Sequence, residues 1–122
     1  MRFLAPSDAK ATCISVLTIG ELRKGVAVKR KTDMAGADKL ARWIDELEQS
    51  YSQRILTVSV AVSRKWGELS AQRSRAVVDT FLAATAIVNN LILVTCNTRD
   101  YRDIETLRVV NPWIESETES FT

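Results

Sequence analysis

Glu21, Asp79 and Asp100 are the residues of this sequence whose types and settings point most directly to chemistry. Asp79 lies among Val77, Val78, Phe81, Leu82, Ala83 and Ala84. A carboxylate in such company must sit near a helix N-terminus, be paired, or face a cation, because burying it alone is expensive. Carboxylates that gather repel one another, and a hard divalent cation relieves the repulsion; magnesium and manganese prefer oxygen ligands. A cation held this way orients a water, lowers its pKa and stabilises charge on a phosphate during hydrolysis. Two plainer readings stand beside this one. An Asp in the first turn of a helix favours the helix dipole by up to about 1 kcal/mol. Glu21, three residues after Thr18, has the spacing of a capping box.

The inventory narrows the alternatives. The 122 residues contain no histidine and two cysteines, Cys13 and Cys96, which form no CxxC pair. A zinc site and a histidine-based triad are excluded on that ground. Two thiols suit a reducing compartment. No apolar run reaches the length of a membrane span, and the opening residues are too poor in hydrophobics for a signal peptide. The expectation is a cytoplasmic protein with no membrane partner. Net charge is only +2, so any grip on nucleic acid must come from local patches. Hydrophobic residues at 46% and charged residues at 26% suit one globular domain, read over 1–114, followed by an acidic tail over 115–122.

The elements that must position the acids follow from periodicity. Residues 12–19 are rich in β-branched side chains and predict a buried strand, followed by a helix from Gly20 to about Lys31 with Thr18 as its cap. Leu40, Ile44, Leu47 and Tyr51 fall on one face of a helix over 37–51. Residues 54–58 predict a short strand. Ser59 has the character of an N-cap for a helix over 60–71 that turns Val62 and Trp66 inward. A helix over 77–90 carries Asp79, a fully buried strand follows over 91–95, residues 97–103 form a loop or short helix, and a last strand covers 107–110. Strands alternating with helices predict an α/β domain with a parallel sheet, in which ligands gather at the carboxyl ends of the strands.

Four segments carry a family resemblance. Ser15 to Gly25 (SVLTIGELRKG) resembles the S-x-x-T-x-x-E-L-x-x-G segment of PIN domains, in the VapC/FitB toxin-like branch. Asp79 to Ala86 (DTFLAATA) is similar to that branch's D-x-x-x-A-A-T-A helix. Leu93 to Tyr101 (LVTCNTRDY) is similar to its L-V-T-R-N-x-x-D-F segment, and Val109 to Trp113 to its closing strand and N-P-W end. The resemblance implies a three-layer α/β/α domain with a mostly parallel sheet, and a metal-dependent endoribonuclease using magnesium or manganese. It further implies the toxin half of a toxin–antitoxin pair, with an RNA substrate, a small antitoxin partner and a homodimer. Carried over by position, Glu21, Asp79 and Asp100 are the catalytic metal ligands. Thr18, Thr95 and Asn97 line the site, Asn97 as a neutral helper. Arg23, Arg73 and Arg75 are candidates for RNA phosphates, against the plainer reading of a solvated helix face.

Two departures bear on activity. Cys96 stands where the family usually has Arg. The family's first strand, with an L-D-T-N motif that supplies the first acidic ligand, has no counterpart: residues 3–14 read as the tail of the next helix and the approach to the following strand. Loss of that strand predicts an open hydrophobic slot flanked by two unpaired edges. Asp8 is the sole acid near it, and its context does not resemble the missing motif. A degenerate PIN-like domain that only binds an antitoxin or a paralogue is therefore the second reading. A flavodoxin-like phosphate-binding domain is disfavoured, since the four glycines form no phosphate loop.

Overall fold

The computed structural model describes residues 1–6 and 8–112, with the backbone alone over 8–11. Trp113, the tail over 115–122 and the side chain of Asp8 lie outside the described residues. The chain runs β1 (Arg2–Ala5), β2 (Asp8–Ser15), α1 (Val16–Lys29), α2 (Met34–Ser50), β3 (Ile55–Leu56), α3 (Val60–Gln72), α4 (Val77–Val88), β4 (Ile92–Val94), a 3₁₀ turn (Thr98–Tyr101) and β5 (Val109–Val110). The five strands form one sheet in the order β3-β2-β1-β4-β5.

β2 pairs parallel with β3, and β4 parallel with β5. β1 is antiparallel to both β2 and β4, with Phe3 opposite Cys13 on one side and Leu93 on the other. Four strands thus share one direction and β1 alone opposes them. The expected open slot is filled. A four-residue strand with Pro6 in the turn that follows it carries too little pattern to be read as a central strand. The neighbours nevertheless need backbone partners on both sides, and Arg2–Ala5 supplies them. Phe3 is fully buried and joins the main core with Leu93, Val62, Leu69, Leu82 and Tyr101.

Two further expectations are corrected. The β-branched run was expected to stay extended through residue 19, but the strand ends at Ser15. The Ser15 hydroxyl accepts from the Leu17 amide at 3.0 Å and starts α1 at Val16. Thr18 is therefore inside the first turn, and the Thr18–Glu21 spacing is not a capping box. The amphipathic helix begins earlier than residue 37, because Asp33 accepts from the Gly36 amide at 2.9 Å and nucleates α2 at Met34. α1 and α2 pack through Val26, Ala37 and Ile44 as a second cluster. Ser59 caps α3 as expected, bonding the Val62 amide at 3.1 Å. α4 ends at Asn89, and Asn90 takes the left-handed conformation (φ 53°) that Asn tolerates and that redirects the chain into β4.

Truncation of a core aromatic typically costs about 3–5 kcal/mol. Phe3→Ala should lose that much in urea unfolding followed by circular dichroism. A loss comparable to that of a surface substitution would show that β1 is not a structural strand.

Candidate functional site

The reversal of β1 determines what meets at the carboxyl edge of the sheet. Arg2 lies beside Val94, at the end of β4, so the beginning of β1 stands where a parallel strand would bring its end. β2 and β4 lead out of the same edge into the segments that carry Glu21 and Asp100.

Glu21 sits in the second turn of α1 and is exposed. Asp79 occupies the first turn of α4, whose cap residue Ala76 offers no side-chain bond. Asp100 lies on the 3₁₀ turn after β4. Asp79 is the hinge of the arrangement. It lines a cavity of about 520 Å³ together with Glu21, Thr18, Leu22, Val77 and Met1. It also lines a second cavity of about 230 Å³ with Asp100, Tyr101, Arg73 and Arg75. Burial pushes its carboxyl above the usual carboxylate range, and the negative charges of Asp100 and then Glu21 push it further. Two acids distant in sequence thus act on Asp79 across this edge.

They do not form a tight cage. Among the described residues, no group of three acidic or thiol side chains stands close enough to hold one ion directly. Electrostatic coupling reaches farther than a metal–oxygen bond, so the two observations are compatible. The donor set suits a hard cation in kind: carboxylate oxygens and hydroxyls, without nitrogen or sulfur. Magnesium in particular keeps several waters and binds through one or two carboxylates.

The remaining expected residues divide. Asn97 donates from Nδ2 to Asp100 Oδ2 and so orients that carboxylate. Thr95 is buried, and its Oγ1 accepts from the Asn97 amide at 3.1 Å, which shapes the turn. Thr95 and Asn97 line a separate cavity, with Arg2, Cys96 and Pro112, rather than the two that meet at Asp79. Arg73 and Arg75 share the smaller cavity with Asp79 and Asp100. Arg23 is engaged elsewhere: its guanidinium bonds Asp45 at 2.6 Å and Glu48 at 2.9 Å, clamping α1 to α2.

Two residues went unnoticed in the sequence. Tyr101 stands where the resembling motif has Phe. Its ring is buried, and its hydroxyl donates to the Met1 sulfur at 3.9 Å. Burial first, then Asp79 and Asp100, drive its phenol well above the ordinary range, so it stays protonated. Asp103 receives both cavity arginines, and its hydrogen bond with Arg75 is the main reason its carboxyl is held below the usual range. Its signal, an acid 28 residues from its partner, is not visible in local pattern.

The chain belongs to the PIN domain family, whose model matches residues 3–107. Among solved structures, a toxin–antitoxin complex from Klebsiella pneumoniae has a similar fold, with a TM-score of 0.59 and 24% identity over 82% of this chain and 72% of that one. None of the curated proteins matches. Among the described residues, no helix is long and apolar enough to cross a membrane.

The crowding of negative charge has a measurable cost. Because Asp79 has a raised pKa, the folded state holds its proton over a pH window in which the unfolded chain has lost it. Stability therefore falls as pH rises from about 3.8, the ordinary carboxyl value, through the raised value, and the loss persists above it. In cation-free buffer at neutral pH, Asp79→Asn should melt a few degrees above the wild type. The gap should close near about pH 3, where the native carboxyl is also neutral. An equal or lower melting temperature at neutral pH would contradict this electrostatic account.

Proposed function

We propose that this PIN domain is a divalent-cation-dependent endoribonuclease acting in the cytoplasm as the toxin of a toxin–antitoxin pair. The observation that carries the reading is the position of Asp79 at the junction of two cavities, under the combined negative charge of Asp100 and Glu21. A site that disfavours its own carboxylate charge favours a cation. Glu21, Asp79 and Asp100 would hold it, with magnesium or manganese the suitable ions. Bound there, the ion supplies a water of lowered pKa and stabilises charge on the scissile phosphate.

The chain's own residues do the rest. Asn97 fixes the rotamer of Asp100. Arg73 and Arg75, which line the smaller cavity with the acids, offer planar guanidiniums to RNA phosphates. Arg23 does not line that cavity and is held by Asp45 and Glu48, which makes it the weakest of the three expected phosphate contacts. Tyr101, buried, also lines that cavity. An antitoxin has a suitable landing place in the larger cavity, where Leu22, Val77, Val78 and Leu82 present apolar surface beside Glu21. The solved relative of similar fold is itself a toxin–antitoxin complex, and a homodimer fits the same class.

One observation favours a second reading, a PIN-like domain that binds an antitoxin or a paralogue without cleaving RNA. The central strand brings Met1 and Arg2 to the acidic edge in place of a carboxylate. RNA cleavage decides between the two. The wild type should cut single-stranded RNA with magnesium or manganese present and lose that activity in EDTA. Asp79→Asn should reduce the rate by at least about a hundredfold, the upper end of what losing even an outer-sphere partner of a metal costs. Cleavage that survives both changes would refute the metal-dependent reading. Tight binding of the product of a neighbouring small gene, with no cleavage under any metal, would establish the second.

A further inference from the structure

The smaller cavity presents a conflict of charge. Arg73 and Arg75 line it together with Asp79 and Asp100. Opposite charges in one partly enclosed space attract strongly, and the simplest outcome would be two ion pairs that neutralise the acids. That outcome is not observed. Among the described residues, the ion pairs of both arginines go to Asp103. Arg75 reaches its Oδ2 at 2.7 Å and its Oδ1 at 2.9 Å, and Arg73 Nε reaches Oδ2 at 2.9 Å. The Arg75 side chain is only 5% exposed, and it also donates to the Leu69 carbonyl at 3.4 Å. Arg73 touches Asp100 only through that residue's backbone carbonyl, at 3.4 Å.

We infer that Asp103 is a positioning residue that holds Arg73 and Arg75 beside the acidic residues rather than on them. The cavity thereby keeps two halves: carboxylates clear of the arginines for a cation, and guanidiniums anchored on Asp103 that keep N–H donors to spare for phosphate. The Arg75 guanidinium is buried and must have a counter-ion, and Arg73, about half exposed, shares it. If Asp103 loses its charge, the carboxylates that line the cavity with the two arginines are those of Asp79 and Asp100. The arginines would turn to them and compete with the metal. The inference rests on the ribonuclease reading, since it assigns those two acids to a cation.

Manganese(II) binding, measured by calorimetry on the metal-free full chain without RNA, tests it apart from activity. Asp103→Asn keeps the shape and removes the charge, and should weaken manganese affinity by about tenfold or more, the range seen when an outer-sphere partner is lost. Adding Arg73→Gln and Arg75→Gln to that variant should restore affinity to near the wild-type value, because no cation is left to compete. A merely structural role would show no such rescue. Should Asp103→Asn fail to fold, Asp103→Glu serves instead: it keeps the counter-ion, and its affinity should stay close to wild type. Unchanged affinity in folded Asp103→Asn, or a triple variant that binds as weakly as the single one, or a folded Asp103→Glu that binds as weakly as Asn would, overturns the inference. Absence of manganese binding by the wild type, or binding untouched by Asp79→Asn, would instead overturn the ribonuclease reading itself.

Discussion

The hydrogen bonds between β1 and its two neighbours are the constraint on which the remaining structure depends. Without them the sheet is two separate pairs, β3-β2 and β4-β5, each with an unpaired inner edge. Buried backbone donors and acceptors without partners are costly, and a three-residue strand such as β4 has little else to hold it. β1 satisfies both edges at once and inserts Phe3 into the main core. It does so against the direction of the other four strands. Antiparallel pairing is no obstacle to stability, and a tight turn at Pro6 makes the reversal short. What the reversal changes is the chemistry at the edge: it delivers Met1 and Arg2 where the end of a parallel strand would stand.

That edge concentrates negative charge from three separate segments. α1 brings Glu21, the first turn of α4 brings Asp79, and the turn after β4 brings Asp100. Asp79 bears the consequence as a carboxyl less willing to ionise. Natural sequences normally avoid such local conflict, and where it persists it marks function more often than neglect. The arginines of the same cavity do not resolve the conflict, because Asp103 holds them. Acids left unneutralised beside arginines that are anchored on a fourth acid form a divided site.

Much of this was legible in the sequence. Ser59 announced α3, the apolar spacing of Leu40, Ile44 and Leu47 announced α2, and the run from Leu91 to Thr95 announced β4. Asp79 stood out because a carboxylate among Val, Phe and Ala needs a reason. Other features were not legible, for physical causes that can be named. Arg2–Ala5 is too short to show a period, and its role exists only because a slot awaited it. Val16, Thr18 and Ile19 favour a strand by propensity, yet the Ser15 cap and packing of α1 on α2 override that preference. Arg23, Arg73 and Arg75 read as free cations, since a chain pattern does not reveal partners such as Asp45, Glu48 and Asp103, which lie 22 to 30 residues away.

The direction of β1 underlies both the fold and the composition of the site, and nuclear magnetic resonance reads it directly. Antiparallel pairing brings Hα atoms of facing residues close, whereas parallel pairing does not. The structure predicts Hα–Hα Overhauser contacts from residues of Arg2–Ala5 to both β2 and β4. Their absence, or a pattern of parallel pairing between these strands, would contradict the account.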